Sequence, residues 1–346
     1  MTHRDEPWGQ EMNTGVPSPD LVLDLIEAFR RSKTMFAAVK LGVFDALNDE
    51  ATADELASRL GTRADTLRRL LDACAVLGLL ERDADRYRLT AVSQVYLTKK
   101  GPLSLIGYID YSNEALWSLW GRLEDAVREG GHRWEQVFGG KGPLFSHYFR
   151  TEETKRAFLL GMHGYGTLSS PRVVDAFDLG RFRKLVDLGG ATGHLAMAAC
   201  ARWPELMAVV LDLPEVVPIA REFVQGVERV EVAAGDFFRD PLPEADLFAL
   251  GRILHDWDEA RIDTLLRTIV ERLPRGGGLL IAETLLDEDG PGPRWSRMQD
   301  LNMMCVTEGR ERTLGEYTQL LKKAGFQSVE GRNTGAPLDA ILALRA

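Results

Sequence analysis

Apolar residues recur at helical spacing from Asp20 to Leu47, through Leu21, Leu25, Ile26, Phe29, Met35, Phe36 and Val39. Gly42 interrupts the run, so the pattern predicts two helices whose apolar stripe is covered by the rest of the chain or by another subunit. Thr52-Ala-Asp-Glu and Thr62-Arg-Ala-Asp each set a hydroxyl three residues before an acid, a pattern that opens helices, and Gly61 supplies the turn between them. The second of these helices is expected to run to about Leu77. After Gly78, residues Glu81 to Thr90 alternate around Tyr87-Arg-Leu-Thr like a small β-hairpin. Helix, turn, helix and hairpin together outline a winged helix-turn-helix. From Pro102 to about Ala176 the pattern is mostly helical. Leu116, Trp117, Leu119, Trp120 and Leu123 predict one apolar face, and Gly130-Gly131 and Gly139-Gly140 mark loops. Phe145, His147, Tyr148, Phe149 and Phe158 either pack a core or roof a pocket.

The period changes at Phe177. Short apolar runs then alternate with helical ones, and five read as strands: Lys184 to Leu188, Met207 to Asp212, Val230 to Asp236, Asp246 to Leu250, and Gly278 to Glu283. Two final runs, Gln327 to Arg332 and Leu338 to Leu344, predict an antiparallel pair. Alternation of this kind implies an α/β domain with a mostly parallel, doubly wound, Rossmann-like sheet, preceded by a mainly helical domain. The expected divisions are a mobile tail (1–18), a winged-helix domain (19–105), a helical linker that contributes to a pocket (106–176) and the α/β domain (177–346).

Composition narrows the partners. The chain has 346 residues, of which 45% are hydrophobic and 27% charged, with a formal net charge of −10. An acidic protein is poorly matched to phosphate backbones, so the winged-helix outline reads as a packing or dimerisation module and no nucleic-acid partner is expected. Cys74, Cys200 and Cys305 are scattered and odd in number, which indicates neither a disulfide framework nor a zinc site. No leader pattern and no membrane-length apolar run is present, so a cytoplasmic protein with no membrane partner is expected.

The informative stretch is Leu185-Val-Asp-Leu-Gly-Gly-Ala-Thr-Gly193. It reads as strand, glycine turn, helix, but its spacing is not the G-x-G-x-x-G that seats a pyrophosphate. Asp187 stands before the turn, where Gly189 and Gly193 lie, and a carboxylate there suits a ligand carrying an amine or a positive charge. Asp212 closes the next strand, where an acid can accept both ribose hydroxyls. Together these describe a site for S-adenosylmethionine. Gly235-Asp236-Phe237 follows the third strand. There an acid can take the amino proton of an adenine and a ring can pack on its face, although a turn Asp and a core Phe explain them equally. Arg252 either stacks on the adenine or pairs with an acid. His255 lies just past the fourth strand and is positioned to take a proton from a hydroxyl, with Glu283 and Glu311 as candidates to hold its tautomer. Met298, Met303, Met304 and Trp257 would line an apolar, adaptable pocket. Asp287, Glu288 and Asp289 precede Gly and Pro and read as a solvated loop; no metal is expected.

These motifs, with Leu254-His-Asp-Trp257 and Glu311-Arg-Thr313, resemble the small-molecule O-methyltransferases of the caffeate and hydroxyindole type, and the likeness covers nearly the whole chain after the tail. The resemblance implies a winged-helix dimerisation domain, a Rossmann-like methyltransferase domain and an intertwined homodimer. It implies Asp212, Asp236, Phe237 and Arg252 at the cofactor, His255 as base flanked by Glu283 and Glu311, and Asp256 and Asn302 at the substrate. One position departs: the hydroxyindole type has Gln where this chain has Val306. The expected reaction is metal-independent methyl transfer to a hydroxyl of a small aromatic compound, whether a phenol, a hydroxyindole or an aromatic polyketide. Alternatives are a relative that binds the cofactor but catalyses another reaction, such as a hydroxylation, and a winged-helix transcription regulator.

Overall fold

The computed structural model describes residues 17–346, so the expected tail lies outside the described residues up to position 16. The chain divides into two compact units between Asn113 and Glu114.

In the first unit, helix α1 (Asp20–Lys40) is followed by the short α2 (Val43–Ala46), strand β1 (Ala51–Thr52), helices α3 (Ala53–Leu60) and α4 (Ala64–Val76), strands β2 (Leu80–Asp83) and β3 (Arg86–Leu89), and helices α5 (Ala91–Tyr96) and α6 (Ile106–Tyr111). Gly42 takes φ +76° at the break, as expected for a residue that must leave the right-handed region. Thr52 and Glu55 form a reciprocal capping box at α3. The cap expected from Thr62 does not form. Helix α4 starts one residue later, Arg63 takes the cap position, and its guanidinium pairs with Asp65 at 2.8 Å. The three strands form one antiparallel sheet in the order β1-β3-β2. Val43, Phe44, Leu56, Leu67, Leu71 and Tyr87 fill the core, whereas Leu21, Leu25, Ile26 and Phe29 on α1 are exposed.

The second unit opens with α7 (Trp117–Trp120), α8 (Leu123–Glu129), α9 (Trp134–Phe138), α10 (Leu144–Tyr148) and the long α11 (Glu152–Asp175). The single apolar face expected around Leu119 is broken: Leu116 and Leu119 are buried but Trp117 is exposed. A π-turn over Ser112–Leu116 widens the helix just before Trp117 and shifts the register of α7. The α/β part then alternates β4 (Lys184–Leu188), α12 (His194–Arg202), β5 (Met207–Asp212), α13 (Val217–Val224), β6 (Val230–Ala234), β7 (Leu247–Gly251), α14 (Glu259–Arg272) and β8 (Gly278–Glu283). It ends with β9 (Leu285–Leu286), α15 (Arg294–Val306), β10 (Arg312–Thr313), α16 (Leu314–Ala324), β11 (Ser328–Arg332) and β12 (Asp339–Leu344). The main sheet has seven strands in the order β11-β12-β8-β7-β4-β5-β6, and only β12 runs against its neighbours. Strand order reverses between β4 and β7. In open α/β sheets the ligand crevice lies there, beyond the carboxyl ends of the strands. One element had no counterpart in the sequence pattern. Strands β9 and β10 pair in parallel, Arg312 opposite Leu285 and Thr313 opposite Leu286.

Candidate active site

The turn after β4 is built by backbone that side chains would block. Gly189 has φ +67° and Gly193 has φ +78°. A Cβ on Gly189 would lie 2.6 Å from Ile253 and 3.3 Å from Phe237. The turn, the loop after β7 and the Phe237 ring therefore meet at one point, and only a residue without a side chain lets them approach so closely. Ala191, with φ +51°, donates its backbone N–H to Asp212 Oδ2 at 2.7 Å, and Leu213 N donates to Oδ1 at 2.7 Å. Each Asp212 oxygen thus keeps one lone pair for a ligand hydroxyl. Burial pushes Asp212 up to about 6. Gly235 closes the adjoining strand end, its N–H donating to the Asp212 carbonyl at 2.9 Å.

Asp187 lies under the turn. It is buried against Gly190, whose added Cβ would sit 2.7 Å from Oδ2, and that oxygen has no hydrogen-bond partner. Desolvation pushes the group up to about 7, opposed by a backbone hydrogen bond from Ala196. Its placement suits bracing the turn as well as contacting a ligand. Asp236 Oδ1 accepts from Phe238 N at 2.9 Å, fixing the start of that loop. Arg252, at φ +58°, lies with its guanidinium over the Tyr165 ring, 4.5 Å from the centroid. The Tyr165 hydroxyl in turn accepts from Trp295 Nε1 at 3.0 Å.

Several residues around the turn carried no periodic or motif signal. His163 on α11 meets Thr192 Oγ1 at 2.9 Å through Nδ1, and Ser170 on the same helix meets His194 Nδ1 at 2.9 Å. A Cβ at Gly166 would overlap the His194 ring, so glycine is what lets α11 approach α12 there. Desolvation lowers both histidines, His194 to about 3, which keeps them neutral beside a ligand site. His163 stands 29 residues before Thr192 and Ser170 24 residues before His194, so neither contact shows in the local pattern.

The catalytic candidates converge. His255 sits in a short 3₁₀ turn after β7, buried, with Nδ1 2.8 Å from Glu311 Oε1 and 3.2 Å from Glu283 Oε2. Glu283 Oε1 accepts the backbone N–H groups of Ile253 (3.0 Å) and Leu254 (2.9 Å), so the end of β8 holds the histidine's own loop. The β9–β10 pairing sets Glu311 beside the end of β8 and brings the two carboxylates to one nitrogen. Burial pushes Glu311 up to about 8 and also raises Glu283. Asp256 Oδ1 is 3.7 Å from Nε2, the nitrogen facing away from both glutamates, and burial pushes this acid up to about 7. His255, Glu283 and Glu311 offer ligand atoms within 4.8 Å of one another, enough to hold a cation; a single proton on Nδ1 accounts for the 2.8 Å contact equally well.

Trp257 packs against Phe145 (5.7 Å between centroids) and edge-on against Phe238 (5.2 Å), and Tyr148 packs on Phe158 (4.4 Å). The aromatic run of α10 and α11 thus adjoins the histidine's loop. Along α15, Met303 is buried, Met304 half-buried and Met298 46% exposed, so the expected methionine lining is uneven. Asn302 Oδ1 accepts from Trp120 Nε1 at 2.8 Å. The Val306 carbonyl accepts from Trp134 Nε1 and from the Tyr148 hydroxyl. Cys74, Cys200 and Cys305 are buried free thiols, and the Asp287–Asp289 acids are exposed. Among the described residues no helix is long and apolar enough to cross a membrane.

Comparison with known proteins gives the family. A family model described as the O-methyltransferase domain matches residues 120–327, and one described as the O-methyltransferase dimerisation domain matches residues 23–99. The chain is 40% identical to acetylserotonin O-methyltransferase of Gallus gallus over 94% of this chain and 96% of that one. It is 43% identical to the Homo sapiens protein named "Probable bifunctional dTTP/UTP pyrophosphatase/methyltransferase protein" over 95% of this chain, spanning 54% of that protein's length. The crystal structure of human N-acetylserotonin methyltransferase in complex with SAM superposes with a TM-score of 0.92 at 37% identity, covering 97% of this chain and all of that one. The structure of PigF with SAH gives a TM-score of 0.86 at 28% identity over 95% of this chain and all of that one. By these matches and by its own fold, the chain belongs to the O-methyltransferase family.

Proposed function

We propose that this enzyme, an S-adenosylmethionine-dependent O-methyltransferase, methylates a hydroxyl of a small aromatic compound with His255 as general base. The observation that carries the reading is the buried His255 nitrogen facing Glu311 at 2.8 Å and Glu283 at 3.2 Å. The glycine turn at Gly189, the lone pairs left on Asp212 and the adjoining Phe237 fit a nucleoside, and the buried acids around the turn favour a cationic one. Asp187, Gly193, Gly235, Asp236 and Arg252 complete the set that would hold it. When bound, S-adenosylmethionine supplies an electrophilic methyl group.

The chain's own part is proton management. A phenolic hydroxyl, with a pKa of about 10, is mostly protonated near neutrality. His255 Nε2 takes that proton as the oxygen's lone pair is used. Glu311 accepts a hydrogen bond from Nδ1–H, holds the tautomer and stabilises the imidazolium, as a carboxylate does behind a catalytic imidazole. Glu283 fixes the loop and adds a second acid. Asp256, Trp257, Met298, Asn302 and Met303 are proposed at the substrate, with the Phe145–Trp257 aromatic wall excluding water.

The exposed Leu21, Leu25, Ile26 and Phe29, of which the last three fall within the segment matched by the dimerisation model, support a homodimer through the first unit. Sedimentation of the purified protein is expected to give a dimer, and Leu25→Asp with Phe29→Asp a monomer; a wild-type monomer at micromolar concentration contradicts this. The reaction is tested by incubating the protein with methyl-labelled S-adenosylmethionine and a panel of phenols, hydroxyindoles and hydroxylated aromatic polyketides. Label in an aryl methyl ether is expected. Tight cofactor binding with no transfer to any member overturns the reading.

A further inference from the structure

Helix α15, which carries the proposed substrate residue Asn302, also carries an unused hydrogen-bond donor. Gln299 lies on the buried face of α15, only 7% exposed, and its Nε2 has no hydrogen-bond partner. Asn302 is three residues on, so the two amides stand side by side on one helix face, with Met303 and Val306 continuing the same stripe. An indole N–H can only donate, so the Trp120 contact fixes the Asn302 amide with Oδ1 toward Trp120 and its N–H₂ end turned away. The helix is tied to the catalytic loop at the residue next to Gln299, where Asp300 Oδ1 accepts from Glu311 N at 3.1 Å.

A buried donor left unmade is a standing cost, and a ligand that supplies the acceptor relieves it. Sites built this way discriminate strongly against analogues that lack the matching group. We infer that Gln299, beside Asn302, is a specificity-determining residue that donates to an acceptor oxygen of the substrate, which makes the substrate class hydroxyarenes bearing a carbonyl. The inference rests on the proposed aryl-hydroxyl reaction. It gives the chain a polar substrate contact two helical turns before Val306, on the same stripe, where the hydroxyindole type has Gln in place of Val306.

The test is calorimetric titration of the protein saturated with S-adenosylhomocysteine, using matched phenols: 4-hydroxyacetophenone against 4-ethylphenol, and the corresponding meta pair. The wild type is expected to bind the ketone of at least one pair about 10- to 100-fold more tightly. Gln299→Met, similar in length and unable to donate, is expected to lose that preference while retaining S-adenosylhomocysteine affinity and thermal midpoint. Equal binding of ketone and ethyl partners, no binding of any, or a preference that survives Gln299→Met overturns the inference. Gln299→Asn serves as a second variant should the Met form fail to fold, and is expected to retain part of the preference. Ketone preference without methyl transfer from labelled S-adenosylmethionine leaves the acceptor assignment standing and contradicts the reaction instead.

Discussion

At the scale of the residue, the proposed reactive unit is one imidazole with two carboxylates at Nδ1. Burial disfavours a charged carboxylate and holds Glu311 at about 8 in the cofactor-free protein. The shared proton decides the direction of the pH effect. When Glu311 is ionised it accepts from Nδ1–H, and Nε2 carries the lone pair a base needs. When Glu311 is protonated it donates to Nδ1, and the imidazole's own proton moves to Nε2, which can no longer accept. Turnover is therefore expected to climb from about pH 7 and level off above about 9, and Glu311→Gln to lower kcat by about 100-fold and abolish that limb. A rate independent of pH over this range, or an unimpaired Glu311→Gln enzyme, contradicts the assignment. His255 and Glu283 were legible in the sequence because each stands at the carboxyl end of a predictable strand; Glu311 was a candidate through Gly309-Arg-Glu-Arg-Thr313, just ahead of β10, a strand the pattern does not show. The Thr192–His163 and His194–Ser170 contacts were not, because polar residues inside a long helix carry no periodic signal for the loop they will touch.

At the scale of the element, five parallel strands were legible to within a residue or two, since buried strands read as short apolar runs between turns. The β9–β10 ladder was not, because two-residue strands have no period to detect. It nevertheless sets where Glu311 stands. The Thr62 cap failed by one residue, because Arg63 and Asp65 offered an alternative start to α4. The loop carrying His255 is packed as tightly as the turn under the cofactor. A Cβ at Gly309 would lie 2.7 Å from both the N and the O of Trp257. Gly309→Ala is thus expected to displace the His255–Trp257 segment, cutting kcat by about 10-fold or more and lowering stability by about 1–3 kcal/mol. Unchanged kcat and thermal midpoint in that variant would show the loop to be more yielding than its packing implies.

At the scale of the molecule, the acids gathered beyond the sheet make the cofactor-free protein sensitive to alkali. Asp212 (about 6), Asp187 and Asp256 (both about 7) and Glu311 (about 8) all lie above their ordinary values of 3.8 and 4.5. A carboxyl whose folded value is raised contributes stability that is complete below its unfolded value and lost as pH climbs through the folded one. The thermal midpoint of the cofactor-free protein is accordingly expected to fall from about pH 5 to about pH 8, and S-adenosylmethionine, as a cation, to flatten that slope. A midpoint that rises steadily over the window contradicts the charge deficit at the site. In the proposed reaction, the buried acids, the tied loop and the paired carboxylates all serve one proton, the one His255 Nε2 would remove from an aromatic hydroxyl. The most direct measurement is single-turnover transfer of labelled methyl from S-adenosylmethionine to the best phenolic acceptor, with cofactor affinity measured alongside, for wild type and His255→Ala. If His255 is the base, the variant loses about 100- to 10,000-fold in the transfer rate while its cofactor affinity stays within a few-fold of wild type. Transfer at the wild-type rate by His255→Ala would contradict that role.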